Sequence, residues 1–181
     1  MNNRQGFTLI ELLVVIGIIG ILSALVILAI NPAEMQRKGR DATRMSDLTN
    51  LRKAIELALA NGTVSLRGST TVYFSADSSA TRDTDTSANY IGLQVDKFLP
   101  ILPDDPMHIP LDSAQVTVAG SALPVTKDNM RYFFASDGNY FELNTYLESA
   151  DNSSKVSGDG GDSAVRYEVG TSQGLSLIVG P

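Results

Sequence analysis

The hydrophobic pattern of the chain is dominated by one long apolar run near its start. Leu12 to Ile30 contains nineteen residues without a charge. Only three small residues interrupt it, Gly17, Gly20 and Ser23. A helix needs about twenty apolar residues to cross the hydrocarbon core of a bilayer. Because no water competes for the backbone in lipid, a spanning segment of this kind must be helical. The run therefore predicts a membrane-spanning helix.

Two other interpretations of the run fit less well. A cleavable secretory signal has an apolar stretch of about 7 to 15 residues and a small-residue cleavage site after it. This run is longer, and the residues that follow it, 31–34, read Asn-Pro-Ala-Glu and make a poor site. A buried core helix of a soluble protein would need apolar surroundings, and nothing later in the chain is apolar enough to provide them.

Beyond the run, the pattern changes to that of an amphipathic helix from Ala33 to Asn61. Apolar residues recur three and four positions apart and so share one face; they are Met45, Leu48, Leu51, Ile55 and Ala58 or Leu59. The charged residues between them fit a solvated face, and they include Arg37, Lys38, Asp41, Asp47, Lys53 and Glu56. Asn61-Gly62 predicts the end of this helix.

The rest of the chain, from residue 62, reads as short strands and loops. The strand candidates are Thr71–Ser75, Met130–Ala135, Tyr140–Leu147, Val165–Val169 and Leu175–Val179. Residues 136–139, Ser-Asp-Gly-Asn, predict a hairpin turn between the second and third candidates. An antiparallel sheet laid on the apolar stripe of the helix buries both apolar faces. The expected fold is therefore α+β, with a long N-terminal helix packed on a small antiparallel sheet.

Glu11 breaks the apolar pattern just before the run. A carboxylate inside a membrane is costly and rarely left unpaired, yet Arg4 lies seven residues upstream and out of reach along the helix. Cleavage after Gly6 would create an amino group on Phe7, four residues before Glu11 and on the same helix face. The amino group of a neighbouring copy would serve equally. The alternative is a chance acidic residue that snorkels to the membrane interface.

The first thirty residues resemble type IV prepilins and type II secretion pseudopilins. The resemblance rests on the polar leader Met1–Gly6, on residues 7–11, Phe-Thr-Leu-Ile-Glu, and on the apolar helix that follows. In that family a membrane peptidase cuts after the glycine, the new N-terminal residue is N-methylated, and the glutamate pairs with a neighbouring subunit's amino terminus during filament assembly. The resemblance implies these roles for Gly6, Phe7 and Glu11.

The same resemblance implies a domain organisation and a set of partners. Residues 1–6 would be a leader, 7–30 a membrane-spanning and filament-core helix, 31–61 its amphipathic continuation, and 62–181 a pilin-like head. The chain would be a homo-oligomeric filament subunit that meets a prepilin peptidase, inner-membrane assembly machinery and minor pilins. It would cross the cytoplasmic membrane once, with its N-terminus in the cytoplasm, and become part of an extracytoplasmic or cell-surface filament after assembly. A pilus and a short secretion pseudopilus both fit.

Two features depart from the family pattern. Many of its members carry a proline at the place of Leu28, where their helix bends, whereas here Pro32 is expected to bend the helix one turn later. Positive charge also accumulates after the span, at Arg37, Lys38, Arg40 and Arg44. The positive-inside rule would by itself favour the opposite orientation, so the cytoplasmic N-terminus follows from the resemblance and not from the charges.

The composition of the head argues against one class of function, nucleic-acid binding, and bears on the choice between pilin and pseudopilin. Beyond Asn61, fifteen Asp and Glu residues stand against seven Lys and Arg, which is not the charge balance of a nucleic-acid-binding surface. The chain has no cysteine, so no disulfide supports the fold. This favours, mildly, the pseudopilin side of the family over pilins that close a C-terminal loop with a disulfide.

Residues 102–106, Leu-Pro-Asp-Asp-Pro, stand out within the head. Prolines at positions 100, 103 and 106 impose an extended path on this segment. The pattern resembles the Leu-Pro-x-Asp-Pro element that precedes the sheet in many pseudopilins.

A glycine-rich acidic loop, residues 151–162, is a candidate cation site. Its carboxylates and amide would be the oxygen ligands that calcium prefers, namely Asp151, Asn152, Asp159 and Asp162. Major pseudopilins often bind calcium at about this place. The spacing does not fit a helix-flanked calcium loop, since no Glu closes it at the twelfth position, and a flexible acidic loop is the alternative.

Nothing in the sequence predicts an enzyme. His108 is the sole histidine, and its neighbours offer no evident acid, base or nucleophile to work with it. A different class of protein stays open: a single-pass membrane protein that never polymerises and displays a binding domain outside the cytoplasm. The Gly6-Phe7 junction with Glu11 separates the two, because a plain anchor has no use for a carboxylate at this place.

Overall fold

The computed structural model describes residues 7–74, 82, 89–171, 174 and 176–178. Its longer elements are α1 (Leu9–Ile30), α2 (Pro32–Ala60), β1 (Gly68–Phe74), β2 (Gln115–Val116), β3 (Val125–Thr126), β4 (Phe133–Asp137), β5 (Phe141–Thr145), α3 (Ser153–Val156) and β6 (Tyr167–Gly170). Two 3-10 turns, Lys127–Asn129 and Ala150–Asn152, complete them. The chain divides after Gln36 into two compact units. The α+β architecture expected from the sequence is confirmed.

The first unit contains the apolar helix α1. Leu9–Ile27 is long and apolar enough to cross a membrane, and none of this stretch is buried. The helix ends at Asn31, which adopts a left-handed conformation with φ of 45°. Pro32 is the first residue of α2, a position where its missing N–H and fixed φ cost nothing. The expected bend at Pro32 is therefore a break between two helices, and Asn31 provides it.

The second unit begins at Arg37 and is organised around the buried face of α2. Leu48, Leu51, Ile55 and Ala58 are fully buried in the main core, which confirms the apolar stripe. The helix ends at Ala60, one residue before the predicted boundary, and Gly62 takes the positive φ of 66° that allows the chain to turn.

An antiparallel sheet in the order β1-β4-β5-β6 covers this stripe. Phe134, Phe141 and Leu143 point to one side of the sheet and pack in the same core as α2. The predicted hairpin is present as β4 and β5, with Phe134 opposite Leu143. Its turn is closed by the Asp137 carboxylate, which accepts the backbone N–H groups of Asn139 and Tyr140. Burial of this face joins sheet and helix into one body.

The opposite face of the sheet is also covered. Phe133, Ala135 and Tyr146 pack there against Val116 and Ile178 in a second core. The strand β5 is consequently buried along its whole length. The segments that cover its second face are far away in sequence.

Of the remaining predicted strands, two are present and one is not. β1 and β6 begin and end within a few residues of their predicted positions, although Ser75 lies outside the described residues. Leu175–Val179 was expected to be a strand, but residues 176–178 form none. They run as an irregular segment over the second core, and Leu175 and Val179 lie outside the described residues.

Candidate functional site

The N-terminal site comprises Phe7, Thr8 and Glu11 at the start of α1. Thr8 is the N-cap: its hydroxyl accepts the backbone N–H of Glu11 at 3.4 Å. In return the Glu11 carboxylate accepts the Thr8 backbone N–H and hydroxyl, each at 2.8 Å. These reciprocal bonds form a capping box. The pattern Thr-x-x-Glu in residues 8–11 is the sequence signal that predicts it.

This arrangement corrects part of the sequence argument for Glu11. Its carboxylate is not without a partner in the uncleaved chain, because Thr8 donates two hydrogen bonds to it. In the uncleaved chain Phe7 also lies before the N-cap, outside the helix, so it shares no helix face with Glu11 there. Both Thr8 donors are uncharged, however, and leave the negative charge of Glu11 uncompensated. Gly6, the expected cleavage position, lies outside the described residues.

A second group of functional interest, the Arg44 network, is buried where α2 meets the head. It consists of Arg40, Asp41, Arg44, Asp105 and Glu148. The Arg44 side chain is fully buried, and its Nε and Nη2 bind the two Asp105 oxygens at 2.6 and 2.9 Å. Its Nη1 binds Asp41 at 2.9 Å and Glu148 at 2.7 Å. One guanidinium thus joins the helix, the proline-rich segment and the end of the sheet.

Asp41 extends the network into the acidic loop. Its carboxylate accepts the backbone N–H groups of Glu148 and Ser149 and the side-chain amide of Asn152. Asp41 was expected on a solvated face, but its exposure is 0%. Its hydrogen bonds are completed by partners that lie about 107 positions downstream, and no pattern within the helix indicates them.

The Leu-Pro-Asp-Asp-Pro segment gains a structural role from this network. Leu102 is buried in the main core, and Asp105, besides binding Arg44, accepts the backbone N–H of Met107. Bidentate pairing of Arg with carboxylate fixes both distance and orientation. The segment is therefore tied to α2 through a defined geometry that its prolines help to hold.

Acid is expected to loosen the network through Glu148. Burial opposes ionisation of this carboxyl, but its hydrogen bond with Arg40 and the charge of Arg44 hold its pKa below the usual 4.5. A lowered pKa in the folded state adds stability that is present above pH 4.5 and lost as the pH falls through the lowered value. Thermal unfolding of the full chain should therefore show a Tm that falls below pH 4.5, and Glu148→Gln should flatten this fall. An unchanged acid profile in that variant would contradict the assignment.

The four candidate calcium ligands are used in other ways. Asn152 donates to Asp41, and Asp151 pairs with Lys38 at 2.5 Å. Asp159 accepts the backbone N–H groups of Gly161 and Glu168. Within the described part of the chain, no group of three or more acidic, histidine or cysteine side chains is placed to hold a metal ion. The structure does not bring these residues, or Asp162, together as a cation site.

His108 lies in the interior of the head. Its side chain is 2% exposed, and Nε2 lies 4.0 Å from a carboxylate oxygen of Asp128. Asp128 is held by other donors, the backbone N–H of Leu111 and the guanidinium of Arg131. The surroundings thus give His108 a packing role next to an ion pair.

Comparison with known proteins bears on the N-terminal segment. Residues 1–30 match the family model described as the prokaryotic N-terminal methylation motif. Searches of curated proteins and of solved structures found no significant match to the chain. The match covers the leader, the N-terminal site and α1, which are the residues on which the resemblance rests.

Proposed function

We propose that this type IV prepilin-like or pseudopilin-like chain is a structural subunit of a filament, processed after Gly6 and N-methylated on Phe7. The observation that carries the proposal is the combination of the matched motif with the placement of Glu11. Its carboxylate lies in the first turn of an apolar helix that no other part of the described chain buries. An apolar helix with this exposure requires either lipid or other copies of itself around it.

The charge of Glu11 favours assembly through α1. Its two Thr8 donors satisfy hydrogen bonds without neutralising charge. A carboxylate transferred from the membrane interface to an apolar filament core would be costly unless a cation accompanied it. Cleavage after Gly6 creates such a cation, the Phe7 amino group. Because Phe7 lies outside the helix, we infer that the amino group pairing with Glu11 belongs to a neighbouring copy.

The subunit is also proposed to meet a membrane, a processing enzyme and an assembly system. The N-terminus begins in the cytoplasm, a prepilin peptidase removes the leader, and inner-membrane machinery with minor pilins incorporates the subunit. The head then decorates a filament outside the cytoplasmic membrane, with no catalytic activity of its own. The filament is a pilus or a secretion pseudopilus, depending on which inner-membrane machinery assembles it.

Processing is tested by the mass of the N-terminal peptide. In cells with a prepilin peptidase, the chain should begin at Phe7 carrying one added methyl group, and filaments sheared from these cells should contain it. Gly6→Val should leave the leader attached and abolish the filaments, because the bulky side chain blocks the cleavage position. Asn2→Ala, also in the leader, is the matched control and should be processed normally.

The same experiment separates the proposal from a non-polymerising membrane protein. A mature chain that keeps Met1–Gly6 would contradict the processing assignment. A correctly processed chain that stays in the membrane fraction, with no sheared filaments, would instead support a single-pass protein that displays its head.

A further inference from the structure

Two glutamates are buried side by side on the outer face of the sheet, the face turned away from α2. Glu142 in β5 and Glu168 in β6 are 0% and 1% exposed. Glu168 lies opposite Asn144 in the strand register, and Glu142 lies two residues before Asn144, so the three side chains share one face. Glu142 and Glu168 are diagonal neighbours across the β5–β6 pair, which places the two carboxyl groups within hydrogen-bonding reach of each other. We name Glu142 and Glu168 the carboxyl pair.

The hydrogen bonds of the carboxyl pair hold the C-terminal segment 176–178. Oε2 of Glu142 accepts the backbone N–H groups of Leu177 at 2.7 Å and Ile178 at 3.2 Å. Oε1 of Glu142 accepts the Asn144 amide at 3.1 Å. Oε2 of Glu168 accepts the Ser163 N–H at 2.9 Å. Its other oxygen, Oε1, has no hydrogen-bond donor among the described residues, although it is buried.

Within the described part of the chain, neither carboxyl group of the pair is bonded to a cation. Arg166, the residue before β6, directs its guanidinium over the rings of Phe133 and Tyr146, at 4.7 and 5.1 Å from their centres. Asp159, in the adjacent loop, bonds to the Glu168 backbone N–H and adds a further negative charge. Residues 176–178, Ser-Leu-Ile, carry no charged side chain. Two buried carboxylates in contact, both ionised, would repel strongly.

A shared proton resolves the repulsion and the missing donor together. One carboxyl that keeps its proton supplies an O–H donor, and its neighbour accepts it, as in other pairs of close carboxyl groups. The contact then becomes an O–H···O⁻ hydrogen bond, which is among the stronger kinds in proteins. The remaining negative charge is spread over acceptors already bound by Leu177, Ile178, Asn144 and Ser163.

We propose that Glu142 and Glu168 share one proton at neutral pH, and that this pair is a pH-sensitive latch holding residues 176–178 on the outer face of the sheet. Loss of the proton to solvent leaves two like charges in contact. The repulsion is relieved when Glu142 separates from Glu168, which breaks its bonds with Leu177 and Ile178. Ile178 then leaves the second core, where it packs with Phe133 and Tyr146.

The direction of the pH dependence follows from the environment of the pair. Burial, and after it the charges of Glu142 and Asp159, raise the pKa of Glu168 to about 8, against the opposing effect of the Ser163 hydrogen bond. The pKa of Glu142 is also raised, mainly by burial. A raised pKa means that the folded protein binds a proton that the unfolded chain has already released. This stability is complete below pH 4.5 and is lost as the pH rises through about 8.

Infrared spectroscopy of the full chain in detergent tests the shared proton directly. At pH 7 the wild type should show the absorption of a buried protonated carboxyl group, and this band should disappear in Glu168→Gln. The glutamine amide can donate to Glu142 and its carbonyl can accept from Ser163, so this variant imitates the protonated pair and should fold. Glu56→Gln, an exposed glutamate on α2, is the matched control and should keep the band.

Hydrogen exchange and thermal unfolding test the latch. Protection factors of the Leu177 and Ile178 amides should fall at least about tenfold between pH 7 and pH 9, and the wild-type Tm should fall by about 5–10 °C between pH 6 and pH 9. Both changes should be much smaller in Glu168→Gln. Constant protection across this range in the wild type would overturn the proposal.

A bound cation is the competing explanation for two adjacent carboxylates, and it gives the opposite results. It predicts no protonated-carboxyl band at pH 7, and a Tm that rises with added calcium and falls with a chelator. Either result would also overturn the shared proton. The latch does not depend on filament assembly, so its failure would leave the proposed function untouched.

Discussion

Replacing Arg44 with methionine is expected to lower the free energy of unfolding by about 3–5 kcal/mol. Arg44 is buried between Asp41, Asp105 and Glu148. Methionine fills much of the same space but leaves three buried carboxylates, of which Glu148 still has its bonds to Arg40. The cost arises from those uncompensated charges, and a smaller loss is expected for Arg44→Lys, which keeps the charge but cannot bind Asp105 with two parallel bonds.

Denaturant unfolding of the full chain in detergent, followed by near-UV circular dichroism of tyrosine, measures this effect. Arg52→Met is the matched control, since Arg52 lies on the same helix in an ion pair with Glu56 whose side chains are 43% and 39% exposed. An exposed pair of this kind contributes less than about 1 kcal/mol. An equally small effect for Arg44→Met would show that the network does not hold the head together.

Glu11→Ala should abolish filaments while leaving membrane insertion and cleavage after Gly6 intact. Losing one partner of a buried charged contact costs about 2–5 kcal/mol, so each subunit contact should weaken by more than about tenfold. The alanine variant also loses the capping box. Sheared filaments, quantified against the membrane pool of mature chain, give the measurement.

Glu11→Gln separates the two roles of this residue. Glutamine can complete a capping box with Thr8 as glutamate does, but it carries no charge. If charge pairing with a neighbouring amino group drives assembly, the glutamine variant should fail as the alanine variant does. Normal filaments from Glu11→Gln would show that capping of α1, and not the charge, is what assembly requires. Glu34→Gln, an acidic residue in the first turn of α2, should assemble normally.

The two helices show why periodic patterns predicted so much of this fold. A helix places residues three and four apart on one face whatever the rest of the chain does. The stripe from Leu48 to Ala58 was therefore visible in the sequence, as were the apolar run and the hairpin with its Asp-Gly turn. The capping box of Thr8 and Glu11 also has its signal within one helical turn, although the expectation for Glu11 did not include it.

The Arg44 network shows where such reasoning stops. Asp41 and Arg44 have the spacing of an ordinary solvated pair on α2, and nothing nearby in sequence indicates burial. Their partners Asp105 and Glu148 come from segments that tertiary folding brings to the helix. The resemblance of residues 102–106 to a family element singled out the segment. It did not indicate that Asp105 binds a buried arginine.

The carboxyl pair illustrates the same limit on the sheet. Strand alternation places Glu142 and Asn144 on the face opposite Phe141, but it does not indicate that this face is buried. Burial of the outer face depends on residues 115–116 and 177–178, and no local pattern predicts that they lie over it.

The sequence by itself determined the apolar helix, the N-terminal motif, the amphipathic helix and the hairpin, because each depends on residues within a few positions of one another. Tertiary structure decided that Asp41 and Arg44 are buried, that Asn152 and Asp159 form hydrogen bonds to other residues of the protein, and that Glu142 lies beside Glu168. In each case, segments distant in sequence cover polar or charged groups and remove them from water. The cost of that desolvation, and the partners that offset it, exist only in the folded chain.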